Sequence, residues 1–198
     1  MMDIHPVTLE GRHVRLEPLA ERHATDLSAP GRDAEIFPYM PYGPFESDEE
    51  IREWIRQTLA KAAKGDEVPF AIYHLASRRA IGSTRYMAID RPNHVLEIGN
   101  TWLSRDFWRT SVNTECKFLL LSHAFESLDA LRVQLKTDLR NVRSQNAIAR
   151  LGAVREGILR KQIIAKGGYH RDTVMFSIID AEWPAVKANL ENKMSEEK

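Results

Sequence analysis

The sequence predicts an α+β fold, a mixed β-sheet with helices on its faces. Two observations lead there. Three strand-like runs follow one another with only short turns between them, which makes an antiparallel meander. Amphipathic helical patterns then separate the next strand-like runs, so the order reads β α α β β β α β α β β.

Residues 8–19 alternate around Val14 and Leu16 and read as the first strand, followed by a short helix over 21–27. Residues 30–44 hold four prolines and two glycines, with Phe37, Tyr39, Met40 and Tyr42 among them. An aromatic-rich loop of that length is uncommon unless it lines a site. Ser47 opens the next helix with Glu50 three residues on, a capping box. Ile51, Trp54, Ile55, Leu59 and Ala62 then form one apolar stripe.

The meander occupies 70–75, 80–89 and 95–103, with turns at 77–79 and 90–94. A second amphipathic helix spans 112–128, with Cys116, Leu119, Leu120, Ala124 and Phe125 among its inward residues. A strand at 132–137 follows, then a helix at 144–151 that stops at Gly152, where glycine suits a left-handed cap. Strands at 155–165 and 171–179 flank the turn at Gly167 and Gly168. A final helix at 181–190 offers a surface for a homodimer, and the polar tail after Leu190 is expected to fray. The whole chain, 1–198, reads as a single domain of ordinary size.

Composition narrows the function. Hydrophobic residues make up 43% and charged residues 28%, the balance of a globular protein. Lys plus Arg equals Asp plus Glu at 28 each, so there is no basic surplus of the kind nucleic-acid and membrane-surface binders carry. The expectation is therefore no nucleic-acid and no membrane partner. Cys116 is the only cysteine, which excludes an intrachain disulfide and Cys-rich zinc motifs, and no metal site is expected. No apolar run approaches the roughly 18 residues of a spanning helix, and the start has no secretory pattern, so a cytoplasmic location is the default.

Three stretches carry chemistry. Trp102 to Lys117 leaves a strand, crosses a loop and enters a helix, whose free N–H groups and dipole suit an anion, with Arg109 adding a cation. Asp138 to Gly152 leaves a strand and enters a helix that either Asn141 or Ser144 can cap. Glu156 to Arg160 together with Gly168 to Asp172 reads as a charged hairpin. Each has an ordinary structural reading on its own: a polar helix start, a cap, a solvated tip.

In this order and spacing the three stretches resemble the GNAT acetyltransferase superfamily, and within it the branch of ribosomal-protein N-terminal acetyltransferases. The most specific part is Asn141-x-x-Ser144-x-x-Ala147-Ile148-x-x-Leu151-Gly152, followed by Glu156-Gly157 and Leu159-Arg160. The run Glu97-Ile-Gly-Asn-Thr-Trp-Leu103 and the trio Asn113-Thr-Glu115 also match. The resemblance implies a splayed central sheet, with the co-substrate acetyl-CoA in the gap between the strands at 95–103 and 132–137. Trp102 and Leu103 would border that gap. Arg109, Thr110, Ser111, Val112, Asn113 and Thr114 would receive the pyrophosphate. Asn141 and Ser144 would lie beside the pantetheine arm and the sulfur. In this branch two glycines often stand where this chain has Arg109 and Ser111, and a side chain in left-handed geometry there costs ~1–2 kcal/mol.

The reaction implied is N-acetylation of a primary amine. Deprotonating an α-amine at pH 7 costs about 1 kcal/mol, against about 4.6 for a lysine, so an α-amine needs only a modest acceptor. Glu97 is the expected base, and Ser144 the expected proton relay to the sulfur. Backbone N–H groups near Asn100 are placed to polarise the carbonyl, and Cys116, on an apolar stripe, is not expected to act as a nucleophile. The acceptor is expected to be a peptide or protein N-terminus, with a small-molecule amine or an antibiotic as the alternative. A non-catalytic module that binds CoA or a partner is the reading from another class.

Overall fold

The computed structural model describes residues 2–196. Eight strands form one sheet in the order β1-β2-β3-β4-β5-β6-β8-β7. They are β1 Leu9–Glu10, β2 Val14–Pro18, β3 Val68–His74, β4 Arg79–Asp90, β5 Val95–Leu103, β6 Arg132–Asp138, β7 Val154–Ile164 and β8 His170–Ile179. Every neighbouring pair is antiparallel except β5 and β6. Five α-helices accompany them: α1 Ala24–Gly31, α2 Asp48–Ala62, α3 Ser111–Ser122, α4 Val142–Leu151 and α5 Trp183–Glu196. The expected mixed α+β sheet with helices on both faces is what the chain forms.

Two apolar clusters, one on each face, hold the layers together. On one face Leu27, Ile51, Trp54 and Ile55 of α1 and α2 pack on Ala71, Ala80 and Trp102 of the sheet. On the other, Cys116, Leu120, Ile148, Leu151 and Leu190 of α3, α4 and α5 pack on Phe70, Tyr86, Leu96, Leu135 and Val174. Because strand side chains alternate, each residue next to a member of the second cluster projects to the opposite face.

Several boundaries differ from the sequence expectation, each for a local reason. The first predicted strand is two, β1 and β2, separated by a turn at Gly11. The N–H groups of Arg12, His13 and Val14 in that turn donate to the carboxylate of Glu115, the latter two at 2.9 and 3.1 Å. A side chain added at Gly11 would meet Glu115 Oε1 at 2.6 Å and would have to push the carboxylate off the N–H groups it binds. Helix α1 runs on to Gly31, past Leu27, and takes Pro30 into its last turn, where the missing N–H costs one bond of the ladder. At the start of α2, Ser47 Oγ accepts from Glu50 N–H at 3.2 Å. The Glu50 carboxylate reaches back to Glu46 N–H rather than to Ser47, so only half of the predicted capping box is present. Helix α3 stops at Ser122 and continues as a π-helical turn, His123–Ser127. Gly152 caps α4 at φ 102° as expected. The tail expected to fray after Leu190 is helical to Glu196, with Lys193 Nζ donating to the Arg150 carbonyl; Glu197 and Lys198 lie outside the described residues.

Candidate active site

The parallel pair β5–β6 is registered only at Val95↔Arg132, Leu96↔Val133 and Glu97↔Gln134. Beyond Glu97 the two strands separate, and Gly99 to Leu103 face Leu135 to Asp138 across a cavity of about 910 Å³. Backbone groups on facing strand edges need hydrogen-bond partners, so the gap suits an arm that carries amides. On β5, Trp102 pairs with Ser83 and Gly99 with Arg85, which leaves Asn100 and Thr101 together opposite Thr84. This bulge, with Asn100 at φ 49°, takes backbone out of the ladder at the gap, where the sequence expects a carbonyl to be polarised. Tyr42 Oη donates to the Asn100 carbonyl at 3.3 Å and braces the bulge from the loop above.

The anion end is built by the loop into α3. Trp108 Nε1 donates to the Leu103 carbonyl at 3.0 Å, pinning the loop to the end of β5, and the Arg143 guanidinium stacks over the Trp108 ring at 3.8 Å. Thr110 is the N-cap, its Oγ1 accepting from Val112 N–H at 3.4 Å and donating to the Phe107 carbonyl at 2.8 Å. Arg109 has φ 62°, in the left-handed region, whereas Ser111 begins the helix with ordinary geometry. The two glycine positions thus separate physically: Arg109 carries the strain and Ser111 does not. Leu103, Arg109, Thr110, Asn113 and Thr114 line the cavity. Ser111 and Val112 do not; Val112 is a core side chain, and its N–H is taken by the Thr110 cap.

Across the gap, Asn141 caps α4, its Oδ1 accepting from Ser144 N–H at 3.0 Å. Both residues line the cavity. The cap fixes Ser144 in the first helical turn while leaving its hydroxyl toward the gap free of any protein partner among the described residues.

The opposite face of the sheet holds a charged cluster. Glu97 is almost fully buried; its Oε2 lies 3.0 Å from Lys136 Nζ, at an angle that gives an ion pair without a hydrogen bond. Asp138 is held by Arg140 through Nε at 3.0 Å and Nη2 at 2.7 Å. Burial pushes the Asp138 carboxyl up, but the Arg140 bonds outweigh it and hold it below the usual range. Above this cluster the loop after α1 meets the β7–β8 hairpin. Arg140 stacks on Tyr169 at 3.7 Å and lies 5.5 Å from the Tyr39 ring, and Lys166 Nζ donates to the Gly43 carbonyl at 3.2 Å. Trp102 turns its ring into the aromatic cluster of Phe37 and Trp54, with Nε1 buried and unpaired.

Sequence reasoning passed over Lys117. It is buried on the cavity wall, donates from Nζ to Thr101 Oγ1 at 2.6 Å, and has no carboxylate at ion-pair distance among the described residues. Burial lowers it to about 8. Its spacing of four from Asn113 puts it on the cavity-facing side of α3, the one signal that could have found it. Cys116 next to it faces the core, and burial pushes its thiol up to about 12, which leaves it inert as a nucleophile.

A sheet splayed beside a capped helix start, with helices on both faces, is the architecture of transferases that work on a cofactor-borne acyl group. The acetyltransferase (GNAT) domain model matches residues 13–154, and the chain belongs to that family. A GCN5-related N-acetyltransferase from Brucella melitensis is 32% identical, with 96% of this chain and 86% of that one covered and a TM-score of 0.88. An uncharacterized N-acetyltransferase, p20, of Bacillus licheniformis is 29% identical over 76% of this chain and 84% of its own length. RimJ of Mycobacterium smegmatis, solved in complex with CoA-disulfide, shares the fold at a TM-score of 0.82 with 19% identity. The reaction class that follows is transfer of an acetyl group from acetyl-CoA to an amine.

Proposed function

We propose that the acceptor is an α-amine at a peptide or protein N-terminus, and that Glu97 takes its proton. The observation that carries this reading is the position of Glu97: buried at the point where β5 and β6 part, one strand turn from the bulge at Asn100, and on the face away from the anion end. An acceptor entering beneath the roof of Tyr39 and Tyr169 would reach the gap from that face. Acetyl-CoA supplies the activated acyl group when bound. The chain's residues fit it: free N–H groups at the start of α3, Arg109 and Arg143 beside them, and unpaired strand edges along the gap. Asn100 backbone would orient and polarise the carbonyl. The Ser144 hydroxyl would pass a proton to the departing sulfur, and Asn141 would hold Ser144 in place. An α-amine loses its proton at pH 7 for about 1 kcal/mol, so a carboxylate already engaged by Lys136 is base enough, directly or through one water.

The test is release of free CoA thiol with unblocked peptides, compared with the same peptides blocked at the N-terminus and carrying a free lysine. Turnover confined to the unblocked set supports the reading. Equal or greater turnover of the lysine amines overturns it.

A further inference from the structure

We infer that the acceptor is an amine that carries a carboxylate, and that Arg171 binds that carboxylate. This deepens the N-acetyltransferase reading and rests on it.

The cavity wall has eight basic side chains and two acidic ones, Glu97 and Asp138. Some of the basic excess belongs to the anion end, where Arg109 and Arg143 flank the start of α3. Strand parity places two others, Lys136 and Arg171. Val133 and Leu135 of β6, and Val174 and Phe176 of β8, lie in the core shared with α3 and α4. Lys136, Asp138, Arg171 and Thr173 alternate with them and project to the other face, as Glu97 does beside Leu96 and Ile98. Arg171 therefore projects from the face of the sheet away from the start of α3, and it stands with Glu97 on that face.

The two carboxylates on that side each have a cation already. Lys136 engages Glu97 and Arg140 engages Asp138. Arg171 is close enough to feel both carboxylates and Arg140, yet its guanidinium forms no ion pair or hydrogen bond with any described residue. Burial pushes its guanidinium down, the signature of a cation held without a counterion. On the same face Oγ1 of Thr173 is fully buried without a hydrogen-bond partner, and Glu97 Oε2 has only its ion pair with Lys136. Buried polar groups are paired in all but a few cases, and a guanidinium offers a planar fork that fits a carboxylate. The guanidinium only donates, so the partner it lacks accepts hydrogen bonds and carries negative charge. Polyamines and aminoglycosides, which are polycations, meet the wrong sign here.

The experiment uses the full chain with acetyl-CoA, whose binding is measured separately by calorimetry. The probes are free amino acids against their amides, and short C-terminally amidated peptides with Asp or Glu in second place against the Asn or Gln versions, with spermidine as the cationic arm. The expected result is a kcat/KM about 10- to 100-fold higher for the carboxylate member of a pair, the range of one charge-assisted pair. The amino-acid and peptide arms tell which source supplies the carboxylate. Arg171→Gln collapses the ratio to near unity, Arg171→Lys restores part of it, and Arg155→Gln, an exposed arginine outside the cavity, leaves the ratio as it is. A merely structural role for Arg171 would lower both members equally and overturn the inference. Preference for spermidine, or no turnover of any probe by a chain that binds acetyl-CoA, also overturns it and leaves the family reaction standing. Absence of acetyl-CoA binding would remove both readings.

Discussion

Replacing Lys117 with methionine makes the protein more stable at neutral pH. Burial lowers the Lys117 ammonium from an ordinary 10.5 to about 8. At about 1.4 kcal/mol per tenfold change in proton affinity, keeping that charge inside costs about 3 kcal/mol at any pH below 8. Methionine keeps the volume and drops the charge. It also loses the Nζ bond to Thr101, worth about 1 kcal/mol, while Thr101 keeps its bond to Thr84. The net gain is about 2 kcal/mol at pH 7, or about 4–8 °C in Tm for a chain of this size. The folded pKa lies below the unfolded one, so between about 8 and 10.5 the unfolded chain binds more protons and the natural protein gains stability as pH rises. The variant has no such gain. Urea unfolding of both proteins, without co-substrate, should show an advantage that shrinks to about zero by about pH 9.5. A difference that stays constant over that range, or a variant less stable at pH 7, refutes the buried-charge argument.

Arg109→Gly relieves the left-handed backbone and removes a cation from the anion end. Thermal unfolding should rise slightly, by up to about 1 kcal/mol of stability, while calorimetry shows acetyl-CoA binding weakened about tenfold. Tighter binding by the variant would contradict a phosphate contact from Arg109. Glu97→Gln should lower kcat by about 10²- to 10⁴-fold in the thiol-release assay, with the acetyl-CoA Kd changed far less. An equal loss in both would make Glu97 a structural residue. Glu115→Ala leaves three N–H groups of the β1–β2 turn without their acceptor and should cost about 2–4 kcal/mol in urea unfolding. A cost within the range of an ordinary surface change would contradict that accounting.

Periodicity and turn chemistry carried most of the fold. The meander, the stripe of α2 and the cap at Gly152 all rest on interactions within a few residues, and all were legible. The β1–β2 turn was not, because its partner, Glu115, lies about a hundred residues away and looks like a polar helix residue. Glu115 matched the family pattern, and the structure gives that match a structural cause rather than a chemical one. The residues around the gap were legible by order and spacing. What spacing could not show was backbone geometry, which separates Arg109 from Ser111, and charge pairing, which leaves Arg171 single among neighbours that are matched. Lys117 was hidden by chemistry: a lysine reads as solvated until the strand across from it is known to part from its neighbour.

Calorimetric titration with acetyl-CoA, of the natural chain and of a variant carrying Arg109→Gly and Ser111→Gly, tests the central claim most directly. The structure predicts saturable binding of one acetyl-CoA by the natural chain, with the variant binding more weakly because it loses a cation and gains little at Ser111. Binding by the variant alone would mean that the strain at Arg109 closes the anion end and that this chain has kept the fold without the reaction. No heat from either would contradict the acetyl-CoA site itself.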